Sequence, residues 1–499
     1  MFAYFLSADY QCIFIKMELN TDKNIQEAFK LAGHAHVFRF WDELNLQSKS
    51  RLLSEAQTID LDEINKLIAE HVLTDSSKGL SGDKLDGLEP APYIEHPSNG
   101  GDILRWEKAK KTGELAIRAG KVAAFCVAGG QGTRLGFNGP KGTFPVTPLA
   151  KKSLFQVFAE KIKRSSKRYE VVFHWFILTS EINHAATVEH FSSNNYFGLP
   201  QESVHFIVQG LIGAVDQKGK IILTAKDSIA RTPDGHGGSL RALVRSSAIE
   251  KMESLGVECI SYFQVDNPLI RIIDPAFIGF HIEEDSELSS KMIPKAYPLE
   301  KVGHFCVQGG KTVVVEYSDM SESMQRATNS AGALHYISGS VASHLFDRNF
   351  IARVGGGQGQ ASLPFHRADK SIPFLDSSGN LQNPDVPNGV KFEMFVFDAL
   401  PLARNAIIIE SLRADDFSPV KNSAGVDSPK SCSDDLLRSY ARWLMAAGVN
   451  IEVDSSGLPL INLEISYSFA ADQEDFVEQW HALSNQPDIV DGLVIEPVI

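Results

Sequence analysis

The sequence predicts an α/β protein: a mixed, mostly parallel sheet, a helical N-terminal part, and a small C-terminal α/β domain. Three observations carry this. Val122 to Val127 is a short apolar run of the kind a buried strand needs, and it breaks into Gly129, Gly130 and Gly132. From there to residue 265, strand-length apolar runs alternate with segments of helical period, as in strands joined by crossover helices. Before residue 100 the apolar spacing is helical alone.

The bulk numbers narrow the function classes. At 499 residues the chain suggests roughly three domains; we place them at 17–115 (helical), 116–400 (catalytic) and 401–499 (C-terminal), after a possible extension at 1–16. A formal net charge of −14 argues against a nucleic-acid or anionic-membrane partner, which needs a cationic face. Lys141, Lys151, Lys152, Lys161, Lys163, Arg164, Lys167 and Arg168 run with only Glu160 among them, and all but Lys141 are expected to be solvated helix-face charges. Cys12, Cys126, Cys259, Cys306 and Cys432 are scattered, without a CxxC pair, and fit a reducing, cytoplasmic setting. No run reaches membrane-span length, and the first sixteen residues lack a basic leader.

In chain order, Asn24–Leu31, Val37–Leu46, Ser48–Ala56 and Leu61–Leu73 read as helices, and 76–99 as a connection rich in Gly, Pro, Ser and Asp. These N-terminal helices are expected to layer against the catalytic domain. Asp102 can cap a helix over Ile103–Arg118, which Gly120 ends before the buried strand.

The loop after that strand has a polyphosphate chemistry. Bare glycine N–H groups in succession form an anion cradle, and two cations follow, Arg134 inside the loop and Lys141 after Pro140. A P-loop would close on Gly-Lys-Ser/Thr, whereas Gly142 follows Lys141. A dinucleotide fingerprint needs a different glycine spacing and an acidic residue about twenty positions on; here Lys151 and Lys152 stand there.

Past the loop, Ser153 and Gln156 form a capping box for a helix to about Ser165. A strand over Val171–Leu178, a helix over Asn183–Phe191 and a strand over Val204–Gln209 follow. Gln209 offers a donor and an acceptor suited to a pyrimidine edge, and reads equally as a strand end facing water. Thr232 to Gly238 is a second glycine loop, containing Gly235 and His236, before a helix over Ser239–Leu255. The strand Ile260–Val265 ends in Asp266, which is placed to hold Mg²⁺ or to make an Asx turn before Pro268. Lys301–Gly303 and Val313–Ser318 suggest a hairpin, and Gly355–Gln360 a mobile connection. Residues 430–499 hold a helix over Asp434–Ala447 and alternating stretches at 451–453 and 460–465.

GGQGTRLG at 129–136 followed by PKG at 140–142 is similar to the signature loop of the nucleotidyltransferases that make UDP-sugars, within them the eukaryotic-type UDP-N-acetylglucosamine pyrophosphorylases. VDNPL at 265–269, DPAFIG at 274–279, PNGVKFE at 387–393 and FSPVKN at 417–422 extend the resemblance over most of residues 100–430. It implies a Rossmann-like sheet of the nucleotide-diphospho-sugar transferase type, working as a monomer or weak homodimer on UTP and a sugar 1-phosphate with Mg²⁺ at Asp266. Carried over by residue, Val127, Ala128, Gly129, Gly130, Lys141, Gln209, Gly235, Asp266 and Lys391 meet the nucleotide. Gly303, Glu316, Tyr317 and Lys421 meet the sugar phosphate, and Arg134, Lys141 and Lys421 serve transfer. The chain departs from the family pattern at His236 and Ser340, both in the sugar pocket, where the family has asparagine. N-acetylglucosamine 1-phosphate is the expected sugar, because the best-matching segments are those of that subfamily, with glucose or galactose 1-phosphate second because of His236 and Ser340. A silent UDP-sugar-binding protein and a dinucleotide-dependent oxidoreductase are the readings from other classes.

Overall fold

The computed structural model describes residues 22–74, 85, 87–357 and 362–497. The extension expected at 1–16 and residues 358–360 of the expected mobile connection Gly355–Gln360 lie outside them. The chain divides into two compact units: one holds the residues up to Lys84 with Gly210–Gly238 and Pro364–Phe395, the other Leu85–Gln209, Ser239–Leu363 and Val396–Ile499. These units cut across the three-part division expected from the sequence, because segments distant in the chain share cores.

The larger unit is built on a mixed sheet. Glu89–Pro90, Gly303–Gln308, Ser338–Asp347, Cys259–Gln264, Val122–Val127, Trp175–Thr179 and Val204–Val208 lie side by side in that order. The last four run parallel, as the alternation of strands and helices implies. Beyond Cys259–Gln264 the neighbours turn antiparallel, so the parallel part is only half of the sheet. The strand Leu288–Pro294 joins Ser338–Asp347 antiparallel and Ala406–Glu410 parallel.

Local chemistry sets the helices that flank the parallel half. Asp102 caps Ile103–Arg118 by accepting from the amides of Leu104 and Arg105. That helix lies so close to Pro275–Glu283 that a Cβ on Gly113 would stand 1.8 Å from the Pro275 carbonyl oxygen. Ser153 caps Leu154–Tyr169 through the Gln156 amide; the Gln156 side chain donates to Glu160 instead of turning back, so only half of the expected box forms. The helix expected over 239–255 is two, Gly238–Arg245 and Ala248–Ser254, separated at Ser247 with φ 57°.

The cationic run after the loop is solvated as expected only in part: Lys151, Lys163 and Lys167 are exposed. Lys152, Lys161 and Arg164 are buried, because the C-terminal segment covers this helix. Arg164 makes a two-pronged pair with Asp475 at 2.6 and 2.8 Å, and Lys152 donates to Glu160 and Ser466. Lys161 donates to the carbonyls of Pro268 and Ile270 at 2.6 and 2.9 Å, and burial pulls its ammonium down to about 7. Tyr440, Trp443, Tyr467 and Phe476 of the C-terminal segment join the core of the sheet. The expected separate C-terminal domain is thus part of the larger unit.

In the smaller unit the helices Asp22–Leu31, Leu46–Gln57 and Leu61–Leu67 bury Phe29, Leu52 and Ile64 against Val215, Ile221 and Phe392. Two short turns, Ala35–Phe38 and Trp41–Glu43, stand where one helix over 37–46 was expected. The buried Glu55 accepts from the Ile229 amide at 2.7 Å and meets Arg231 at 3.4 Å. The N-terminal helices therefore take their core from residues 210–238 and 364–395. Among the described residues no helix is long and apolar enough to cross a membrane.

Candidate active site

The site grows from the carboxyl ends of neighbouring parallel strands, where an α/β sheet presents its loops to a ligand. Val127 ends one strand, and Ala128 is buried, its amide donating to the Leu178 carbonyl at 2.8 Å. The chain then opens outward: a Cβ on Gly130 would meet nothing within 4 Å. The loop closes on itself through Gly132 N–H to the Gly139 carbonyl at 3.0 Å and Lys141 N–H to the Gly130 carbonyl at 3.1 Å. Asn183 holds it from below. Its buried carboxamide donates to the Ala128 carbonyl at 2.8 Å and accepts from the Ser180 amide at 2.8 Å. Sequence reading saw Asn183 only as a helix start; its partner carbonyls are over fifty residues away.

Gln209 arrives beside this loop. It leaves the strand Val204–Val208, two places along the sheet, with its amide bonded to the Thr179 carbonyl at 2.8 Å. A Cβ on Gly129 would stand 3.2 Å from the Gln209 Oε1, so the glycine leaves that carboxamide its room.

Asp266 arrives from the other side. Gln264 pairs with Val127 in register, and Val265 N–H reaches the Val127 carbonyl at 3.1 Å. The Asp266 carboxylate then stands 3.5 Å from Lys141 Nζ, both side chains largely buried. A cavity of about 160 Å³ adjoins it, lined by Asp266, Gly303, Glu316, Ser340, Phe417 and Lys421. The antiparallel half of the sheet supplies three of these. Gly303 pairs with Ser340, and a Cβ on Gly303 would lie 3.4 Å from Glu316 Oε1. Burial raises the Glu316 carboxyl above its ordinary range, Asp319 and Asp398 add to the rise, and Lys421 opposes it. Lys421 Nζ lies 3.9 Å from Asp427 and 5.6 Å from the centre of the Phe417 ring.

Two residues expected at the site stand apart from this cavity. Tyr317 is 37% exposed and does not line it. Arg134 sits exposed on the turn Thr133–Leu135 of the glycine loop. A larger cavity of about 320 Å³, lined by Trp106, Lys161, Arg271, Trp443 and Tyr467, contains none of the expected site residues.

Gly235, His236 and Lys391 belong to the smaller unit. Gly235 has φ +81°, and a Cβ there would stand 2.3 Å from the Met394 carbonyl oxygen, so only glycine fits. The His236 ring stacks on Phe395 with centroids 5.4 Å apart, and Phe395 stacks on His366 at 4.5 Å. Lys391 is partly exposed on the strand Gly389–Met394, opposite Ala368.

Among the described residues no three His, Cys, Asp or Glu side chains gather as a metal cage. A magnesium ion does not require one, since it takes one or two carboxylates and fills its octahedron with phosphates and water. The Asp266 carboxylate beside the glycine loop fits that pattern.

Comparison with known proteins places the chain in a family. Residues 68–490 match the family model described as UTP–glucose-1-phosphate uridylyltransferase. The chain is 36% identical over 445 residues to a UDP-N-acetylhexosamine pyrophosphorylase-like protein 1 of Xenopus tropicalis, covering 86% of each chain. It is 36% identical over 443 residues to UDP-N-acetylglucosamine diphosphorylase 2 of Arabidopsis thaliana, covering 85% of this chain and 84% of the other. The crystal structure of the Trypanosoma brucei uridine diphosphate N-acetylglucosamine pyrophosphorylase in complex with inhibitor superposes with a TM-score of 0.79 at 26% identity, over 96% of this chain and 98% of that one. A match over most of the chain makes this protein a member of the UTP–glucose-1-phosphate uridylyltransferase family of UDP-sugar pyrophosphorylases.

Proposed function

We propose that this member joins UTP and N-acetylglucosamine 1-phosphate to give UDP-N-acetylglucosamine and pyrophosphate. A phosphate oxygen of the sugar phosphate attacks the α-phosphorus of UTP in line, and the bond to the β-phosphate oxygen breaks, releasing pyrophosphate. The attacking phosphate is already ionised at neutral pH, so no base is required. The obstacle is charge: two unit charges about 4 Å apart interact by about 4 kcal/mol at a surface-like dielectric, and each reactant carries more than one.

The observation that carries this reading is the Lys141–Asp266 pair at 3.5 Å beside a cavity that also holds Glu316 and Lys421. Lys141 and Arg134 offset the charge of the UTP phosphates beside the segment from Val127 to Gly130, and Gln209 pairs with the uracil edge. Lys421 draws the sugar phosphate toward the α-phosphorus. Gly303, Glu316, Tyr317 and Ser340 receive the sugar, with the Glu316 carboxyl accepting its hydroxyls. Gly235 and Lys391 are assigned to the nucleotide and His236 to the sugar phosphate. Mg²⁺ would be held by Asp266, where it would neutralise phosphate charge. The buried thiols of Cys126, Cys259, Cys306 and Cys432, free of disulfides, support a cytoplasmic setting.

His236 and Ser340 favour a second sugar, glucose or galactose 1-phosphate. Pyrophosphate release from UTP against a panel of these three sugar phosphates separates the readings. The highest kcat/KM with N-acetylglucosamine 1-phosphate is expected; a higher value with either hexose phosphate replaces the first reading by the second. Release with none of them, alongside tight UDP-sugar binding, would make the protein a sensor.

A further inference from the structure

We propose that Asn267 is a positioning residue for the transfer step, holding the loop that carries Lys421 against the turn that carries Asp266; this rests on the uridylyl-transfer reading above. Asn267 is 4% exposed, and its carboxamide is used as if it were a peptide group. Nδ2 donates to the Asp416 carbonyl at 2.6 Å, and Oδ1 accepts from the Ser418 amide at 3.0 Å. The Val420 amide donates to the Asp266 carbonyl at 2.8 Å. Three hydrogen bonds thus join residues 266–267 to residues 416–420, immediately before Lys421.

Lys421 depends on this tie. The chain from Phe417 to Asp427 forms neither helix nor strand: the Lys421 and Asn422 amides donate to the Asp427 carbonyl at 2.6 and 2.9 Å and close the loop on itself, and its attachment to the rest of the fold is by side-chain and single backbone bonds such as Ser418 Oγ to Asp435 at 2.7 Å. The Lys421 side chain is 39% exposed, and its ion contact, to Asp427, is 3.9 Å long; such exposed pairs contribute little. The ammonium goes where its backbone is put.

The far end of the tie is itself anchored. The buried Asp416 carboxylate accepts from Lys291 Nζ at 2.9 and 3.0 Å, from the Arg271 amide at 3.0 Å and from the Ser411 hydroxyl. Lys291 also reaches Asp274 at 2.8 Å. Asn267 is the side chain through which this rigid cluster reaches the Lys421 loop. Removing its carboxamide leaves the Asp416 carbonyl and the Ser418 amide without these partners, and the loop can shift.

The test is a double-mutant cycle joined to amide hydrogen exchange. Pyrophosphate release is measured for wild type, N267A, N267D, K421A and N267A/K421A. A misplacement of about 1 Å costs on the order of 100-fold, so N267A should lose about that in kcat while the KM for UTP stays within about threefold. In the K421A background the same substitution should cost no more than about twofold, because its route of action is gone. Exchange at the Ser418 and Val420 amides should accelerate in N267A. N267D keeps the side-chain volume but sets an oxygen against the Asp416 carbonyl; it should show the same pattern, and serves if N267A does not fold. Losses that multiply across the cycle, near-normal turnover in both Asn267 variants, or unchanged exchange at Ser418 and Val420 would each overturn the proposal. If wild type transfers uridylyl to none of the sugar phosphates, the functional reading fails, and the exchange measurement alone decides whether Asn267 holds the loop.

Discussion

The Lys141 ammonium stands 3.5 Å from the Asp266 carboxylate, although 125 residues separate them in the chain. The register of two parallel strands brings them together: Gln264 beside Val127 puts Asp266 next to the glycine loop, and the Gly130 carbonyl pins the Lys141 backbone. In the absence of substrate each neutralises the other. A nucleotide phosphate would compete for Lys141 and free Asp266 for a metal ion.

Lys141→Ala should therefore lower turnover about 100- to 1,000-fold, the usual cost of losing one well-aimed charge donor, with the circular dichroism spectrum retained. Chelation of divalent metal should stop pyrophosphate release and Mg²⁺ should restore it. Asp266→Asn should raise the Mg²⁺ concentration needed for half-maximal rate, as read from a metal titration.

Arg134 separates catalysis from folding. Its side chain is exposed on the glycine loop, so Arg134→Ala should leave the melting temperature unchanged. Turnover should still fall by a factor of about 100 if the guanidinium meets the phosphates. Thermal unfolding and pyrophosphate release on the same preparation check both halves.

Gly303 tests the sugar end. A Cβ there would stand 2.7 Å from Val314 Cγ1 and 3.4 Å from Glu316 Oε1, so Val314 or the Gly303 backbone must give way beside Glu316. Gly303→Ala should raise the KM for the sugar phosphate by about tenfold or more, leaving that for UTP near wild type. Initial rates with each substrate varied in turn measure the split.

Glu287 gives the fold an acid limit. Hydrogen bonds from Arg353, and then from Arg404, outweigh burial and hold its carboxyl down to about 2. The unfolded chain binds this proton near pH 4.5, so the stabilisation is present above pH 4.5 and is lost as pH falls toward 2. Glu287→Gln should destabilise by about 1–3 kcal/mol at pH 7, and the gap to wild type should close below pH 4.5. Urea unfolding across that range measures it.

Some of this was legible in the residues because it is decided within a few positions. The apolar run into glycines, the caps at Asp102 and Ser153, and a carboxylate ending the strand at Asp266 are local devices, and many of the helices and strands stand close to where they were expected, the segments 37–46 and 239–255 excepted. The resemblance covered the family but not the arrangement. Nothing near Lys161 or Arg164 announces that the C-terminal segment will bury them, since their partners, Pro268 and Asp475, are remote. The same holds for Asn183 and Asn267, whose carboxamides stand in for peptide groups that only the folded chain supplies.

By itself the sequence determined many of the strands and helices, where the glycine loop lies, and which charged side chains follow it in the chain. Only the tertiary structure decided that half the sheet runs antiparallel, that the N-terminal helices take their core from residues 210–238 and 364–395, and that Lys421 rather than Tyr317 shares a cavity with Glu316. The division has one physical cause: propensities and caps act over a turn or two of chain, whereas register, burial and charge pairing belong to residues that meet only after folding.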